Sequence, residues 1–318
     1  MLKKIISFSF AFILTACSTV APTQAVGTTI PADIATQSTA IPPASTSETA
    51  TSAAPIDTAN QTPTAIPGWQ DLPIVPTVSP EMIEVYKRGL ALGRDPNRFS
   101  KIGDCQNITT YYLAMFDSGN YRLGDQYAYL QPTIEHFKGS WWRESLAVKG
   151  GMNVAAVQNV MWANPDQCKK GETPLQCELR VYNPSIAIIS MEESWVGDLS
   201  NYDLYMRKIV DYVLSQDIVP IVATRAETPT QERQINAIVA KIAADYHIPL
   251  WNFWAATAPL ENYGITPPPD GFHLTGKDET PEVRSFFDNP ENLKFGWTQR
   301  NLTALQAIDA VYRGLNGR

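Results

Sequence analysis

The run Pro184-Ser-Ile-Ala-Ile-Ile-Ser190 is apolar almost without interruption, and so are Asp217-Ile-Val-Pro-Ile-Val-Ala-Thr224 and Ile248-Pro-Leu-Trp-Asn-Phe-Trp254. A strand with one wet face alternates polar and apolar residues. An unbroken apolar run of this length belongs to a strand covered on both faces. Between the runs, Met206, Ile209, Val210 and Val213 recur at helical spacing, as do Ile235, Ile238, Val239, Ile242 and Tyr246. Strands joined through single helices form parallel βαβ units. The pattern predicts an α/β fold, a three-layer α/β/α sandwich around a mostly parallel, doubly wound sheet, closed by a last helix through Leu302, Leu305, Ile308 and Tyr312. Ligands in such sheets sit beyond the C-terminal ends of the strands. That directs attention to Gly103 to Gln106, Met191 to Trp195, Thr224 to Glu227 and the loop after the last strand.

None of this pattern reaches the N-terminal fifth of the chain. Lys3 and Lys4 precede the apolar run Ile5 to Leu14, which ends in Leu14-Thr-Ala-Cys17. These are the three parts of a secretory signal, and the apolar run is too short to span a membrane as a mature helix. Leu14 to Cys17 also resembles a bacterial lipobox, which makes Cys17 the expected lipidation site and residues 1–17 a lipoprotein signal peptide. Residues 18–67 are almost entirely Ser, Thr, Ala, Pro and Gln, charged only at Asp33, Glu48 and Asp57. Such a segment cannot bury enough apolar surface to offset chain entropy, so a disordered tether is expected. Residues 68–318 are long enough for one large domain with a buried core. The expected location is exported, held to the cell membrane or outer membrane by lipid and facing away from the cytoplasm.

Lys and Arg number 25 against 32 Asp and Glu, a formal net charge of −7, and the basic residues do not cluster. Nucleic-acid surfaces need basic stripes, so a small neutral or polar ligand and a monomeric protein are expected. Beyond Cys17 there are three cysteines. Cys168 and Cys177 flank the polar excursion Lys169 to Gln176, and in an exported protein the simplest reading is a disulfide closing that loop. The competing pairing, Cys105 with either of them, closes a longer loop at greater entropic cost.

Only three histidines are present. His247 lies between a helical segment and an apolar run, and His136 ends the mixed helical run Leu130 to Phe137. His273 sits in the proline-stiffened stretch Pro267-Pro-Pro-Asp-Gly-Phe-His-Leu-Thr275, three residues after Asp270. A carboxylate at that spacing in a turn reaches an imidazole nitrogen, fixes its tautomer and stabilises the imidazolium. Phe99 to Gln106 reads as a strand end running into a tight turn at Cys105. A nucleophile there and an Asp/His pair after the last strand face each other across one sheet edge. Ser100, inside the strand, is read as structural. Trp141 and Trp142 are candidates for a sugar-stacking platform, with core packing expected for at least one; Trp251 and Trp254 are read as core.

On these residues the chain resembles the SGNH, or GDSL-type, hydrolase family, from Phe99 to the C-terminus. Ile102-Gly-Asp-Cys105 is similar to the block carrying the nucleophilic serine. Gly150-Gly151, entering an expected helix Asn153 to Trp162, is similar to the block whose glycine offers an oxyanion N–H. Asp270-Gly-Phe-His273 matches the closing Asp-x-x-His. The resemblance implies acyl transfer on carboxylic esters, with Cys105 as nucleophile, His273 as base and Asp270 as its orienting carboxylate. Two departures stand out. A thiol replaces the hydroxyl, and its thiolate serves the same role. Glu192-Glu-Ser-Trp195 replaces the family's Gly-x-Asn-Asp, leaving Ser194 in the asparagine's position beside Gly150 and Gly151 as oxyanion or substrate-binding donors. No metal or organic cofactor is implied. The expected function is a membrane-tethered hydrolase or acyltransferase acting on a small ester or acylated glycan, such as O-acetyl groups on polysaccharide. The alternative is a catalytically inactive protein of the same fold that binds glycans or peptides.

Overall fold

The computed structural model describes residues 66, 68–191, 195, 197–229 and 234–318. The predicted signal peptide with Cys17, the predicted tether except Ile66, and Glu192, Glu193 and Ser194 lie outside these residues.

Four strands, β1 (Asp95–Gly103), β2 (Pro184–Ser190), β3 (Val219–Ala223) and β4 (Leu250–Trp251), form a parallel sheet in the order β1-β2-β3-β4. The sheet is interleaved with α1 (Pro80–Ala91), α2 (Met115–Ser118), α3 (Gly124–Tyr127), α4 (Gln131–His136), α5 (Pro174–Tyr182), α6 (Leu199–Ser215), α7 (Ile235–Asp245), α8 (Phe253–Thr257) and α9 (Gly296–Leu315). Every residue of β2 is buried, as its unbroken apolar run requires. Right-handed crossovers repeated in one direction put successive connecting helices on one face, and α6 and α7 pack together there. On the other face α1 lies over β2 and β3 and packs against α9. Both layers predicted from the strand pattern are present. No described helix is long and apolar enough to cross a membrane.

The four strands themselves run in sequence order, and the change of direction beyond β1 is carried by one isolated bridge. Gly103 forms a parallel bridge with Val148 on the side opposite Ser190, and its N–H donates to Ala147 O at 3.0 Å. The chain leaves β1 toward Val148 and returns to β2 on the opposite side, so the switch point lies at the C-terminal end of β1. There is no room for a side chain at Gly103: a Cβ would stand 2.3 Å from Ser190 O and 2.0 Å from Asn107 Nδ2.

Two expected elements differ. The apolar run Ile248 to Trp254 is a strand only at Leu250–Trp251, and Trp254 belongs to α8. Asn252 ends the strand: its side chain donates to Trp69 O and Leu72 O and its backbone N–H donates to Ile74 O. Pro220 stands in β3 with no N–H to give, and β4 pairs only with Val222 and Ala223, so the ladder ends before that missing donor matters. The helix expected over Asn153 to Trp162 is two 3₁₀ turns, Ala156–Gln158 and Val160–Trp162. Asn153 Oδ1 accepts from the N–H groups of Ala155 and Ala156, and Asn159 Oδ1 accepts from Met161 N–H. Side-chain capping of this kind starts short turns and competes with a continuous helix.

Candidate active site

β1 ends at Gly103, and the next residues turn sharply around Asp104. Its Oδ1 accepts from Gln106 N–H at 3.0 Å and opens the 3₁₀ turn Cys105–Asn107. Cys105 is thereby lifted to the sheet's C-terminal edge, half-buried. Asn107 ties the turn to the neighbouring strand through Nδ2, which donates to Ser190 O at 2.8 Å.

His273 and Asp270 arrive from the other side on a stalk formed by an antiparallel bridge between Ile265 and Leu274. Thr266 N–H and its hydroxyl both donate to His273 O, at 2.8 and 3.0 Å. Asp270 Oδ1 accepts from the N–H groups of Phe272 and His273 at 3.3 and 3.2 Å, which fixes the carboxylate in the turn. Both its oxygens stand 3.0 Å from His273 Nδ1. Partial burial pushes the Asp270 carboxyl up, but hydrogen bonds from the His273 N–H and ring and from Thr266 outweigh it, so the group titrates below its usual range. An ionised Asp270 holds the proton on Nδ1 and leaves Nε2 as the acceptor. Nε2 faces Cys105 Sγ at 3.9 Å, an open distance of the kind that closes once substrate is bound. Gln106 Nε2, from the turn that carries Cys105, donates to Phe272 O at 3.3 Å and links the two halves.

Cys105, His273 and Asp270 therefore come together as the sequence predicts. Gly150 and Gly151 occupy an exposed turn two and three residues past the Val148 bridge. Gly151 takes φ +78°, a conformation suited to glycine. Cys168 and Cys177 form the expected disulfide, and Cys105 remains a thiol. These two cysteines also adjoin Glu172, a grouping accounted for by the disulfide and by the Glu172–Arg180 ion pair.

The remaining residues singled out in the sequence have structural surroundings of their own. Ser100 is buried and donates to Glu178. Trp141 is fully buried, its indole N–H bonded to Ile134 O, whereas Trp142 is 59% exposed. His136 stacks on Tyr312, and its ring Nε2 donates to Pro96 O, a packing role. Trp251 is core, and Trp254 packs edge-on against Trp69.

Sequence reasoning missed Arg300. Its Nε donates to Gln106 O at 3.0 Å, and its Nη2 donates to Asn107 Oδ1 and Ser190 Oγ, each at 3.1 Å. The residue is fully buried among Tyr112, Trp251 and Phe253. Burial pulls its guanidinium below the ordinary range, with Tyr112, Asp104 and Cys105 acting the other way. Periodicity gave no signal for it: Arg300 lies off the stripe of Leu302, Leu305, Ile308 and Tyr312, on a further face of the last helix that is also buried.

No family model matches the sequence, and no curated protein matches it. Among solved structures, a GDSL-like lipase from Bacteroides thetaiotaomicron VPI-5482 is similar in chain trace, with a TM-score of 0.40 and 14% identity, over 72% of this chain and 99% of that one.

Proposed function

We propose that residues 68–318 form a GDSL-type acyl-ester hydrolase that works through a cysteine nucleophile. The observation that carries the reading is the alignment Cys105 Sγ, His273 Nε2, His273 Nδ1 and Asp270 carboxylate at the sheet's switch point. In this scheme His273 Nε2 takes the thiol proton as Sγ attacks the acyl carbon. The tetrahedral adduct collapses to a thioester, and the departing alcohol takes the proton back from His273. Water, deprotonated by the same nitrogen, then attacks the thioester and returns the thiol to Cys105. Asp270 stabilises the imidazolium in both steps. The N–H groups of the Gly150-Gly151 turn and the side chain of Ser194 are the proposed donors to the oxyanion.

The proposed substrates are small esters or O-acetyl groups on polysaccharide. The proposed setting is outside the cytoplasm, on a lipid anchor at Cys17 with residues 18–67 as the tether. Cys168–Cys177 supports that setting, because disulfides persist in oxidising compartments. Hydrolysis of short-chain p-nitrophenyl esters by the purified protein tests the reading. Turnover is expected to fall by roughly a thousandfold or more in Cys105→Ala and in His273→Ala. Absence of turnover in the wild type, with Cys105 resistant to alkylation in the folded protein, favours instead a binding module in which Glu192-Glu-Ser-Trp195 has displaced the catalytic loop.

A further inference from the structure

The two halves of the triad come from segments far apart in the chain, and each is fastened to the same two turns of α9. On the nucleophile side, Arg300 spans Gln106 O, Asn107 Oδ1 and Ser190 Oγ with one planar group. These acceptors belong to the turn that carries Cys105 and to the end of the adjoining strand β2. On the base side, Gly296 N–H donates to Thr275 Oγ1 at 2.9 Å and Trp297 N–H to Thr275 O at 3.1 Å, two residues beyond His273. Thr275 N–H in turn donates to Gly264 O at 2.9 Å, across the stalk. Arg300 and Gly296 are four residues apart, about one helical turn, on a helix buried along most of its length.

We infer that Arg300 is a positioning residue for this reaction: its guanidinium fork fixes the Cys105 turn to α9, so that one rigid helix sets the spacing between Sγ and His273 Nε2. The inference rests on the reading of Cys105 as nucleophile. A guanidinium suits the task because its donors leave a fixed plane in fixed directions. A lysine ammonium carries the same charge but is a point donor on a flexible stem. It cannot hold a backbone carbonyl on one side and two side-chain oxygens on the other. Arg300 is too deep to touch substrate, and the rings of Tyr112, Trp251 and Phe253 pack around its guanidinium with centroids at 4.6, 5.4 and 5.4 Å.

The experiment compares wild type, Arg300→Lys and Arg300→Ala in two assays: steady-state hydrolysis of p-nitrophenyl acetate, and the rate at which iodoacetamide alkylates Cys105 at neutral pH. Circular dichroism confirms that each variant is folded. Arg300→Lys should lower kcat by at least about thirtyfold with KM within about twofold, and slow Cys105 alkylation. In Arg300→Ala, guanidinium chloride in the tens of millimolar should restore at least tenfold of the lost kcat, while equal ammonium chloride restores none. If Arg300→Ala does not fold, the lysine variant decides alone. A folded Arg300→Lys with wild-type kcat and alkylation rate overturns the inference, as does equal rescue by ammonium. A wild type that alkylates readily yet hydrolyses no ester overturns the proposed function instead, and the alkylation series still reports on Arg300.

Discussion

Lys101 lies on β1 with its ammonium fully buried, donating to Thr109 Oγ1 at 3.1 Å and Trp141 O at 3.0 Å. Both acceptors are neutral. Burial outweighs the attraction of Glu178 and brings the group down to about 7. In an unfolded chain it titrates near 10.4. Between those values the unfolded state binds more protons than the folded one, so this group makes stability rise with pH; below 7 both states are charged and the cost of burying the charge is fully present. Denaturation measured at pH 6, 7, 8 and 9 should show a rise above pH 7 in the wild type that is missing in Lys101→Met. One proton corresponds to about 1.4 kcal/mol per pH unit, and equal slopes in the two proteins refute the assignment. Glu178, on α5 and 0% exposed, makes a contrasting case. It accepts from Ser100, from both Nη atoms of Arg143 and from Leu146 N–H. Removing the carboxylate strands a part-buried guanidinium and a strand hydroxyl together, so Glu178→Leu should cost about 3–5 kcal/mol in urea unfolding. Ser100 was recognisable as structural because a strand interior is the wrong place for a nucleophile. Nothing in Pro174-Leu-Gln-Cys-Glu178 marks the glutamate as its buried partner, since that pairing spans 78 residues.

Elements built on periodicity were legible, and elements ended by side chains were not. α6, α7 and α9 fall on the predicted apolar positions because burial of one helical face is encoded every three or four residues. β4 is cut short by Asn252, whose bonds reach back about 180 residues to Trp69 and Leu72, and no local window contains them. The site divides along the same line. Asp270 and His273 are three residues apart, so their pairing is readable from a turn. The contact of α9 with the His273 stalk is long-range, and only the glycines betray it. A Cβ on Gly296 would stand 2.2 Å from Gly264 O and 3.1 Å from Leu274 Cδ2. The first is a backbone atom within the stalk itself, so the helix or the stalk must move. Gly296→Ala should therefore destabilise by about 1–3 kcal/mol, and lower esterase activity by more than the unfolded fraction explains. Activity that simply tracks the folded fraction indicates that the stalk absorbs the shift without moving His273.

At the scale of the molecule, the sheet is covered on one face by helices from its crossovers and on the other by α1 and α9, which lie near opposite ends of the folded domain's sequence and pack against each other. The proposed catalytic residues Cys105, Asp270 and His273 belong to the turn after β1 and to the stalk, and α9 carries the proposed positioning residue Arg300. The Cys168–Cys177 disulfide lies elsewhere: it joins the loop before α5 to the helix itself, across a sequence separation of 9. Arg180 on the same helix reinforces that joint by donating to Gln167 O. A loop this short gives about 2.5 kcal/mol of stabilisation in the chain-entropy account. For a domain of this size each kcal/mol is about 2–4 °C in Tm, so reduction, or the double variant Cys168→Ser with Cys177→Ser, should lower Tm by about 5–10 °C. Because no hydrogen bond among the described residues joins the Cys105, Asp270 and His273 cluster to α5, kcat of the folded protein at 25 °C should stay within about twofold of wild type. Calorimetry beside p-nitrophenyl acetate hydrolysis separates the two effects. A large fall in kcat at temperatures where the double variant is fully folded shows that the loop before α5 reaches the site, and the separation of staple from catalytic edge is then wrong.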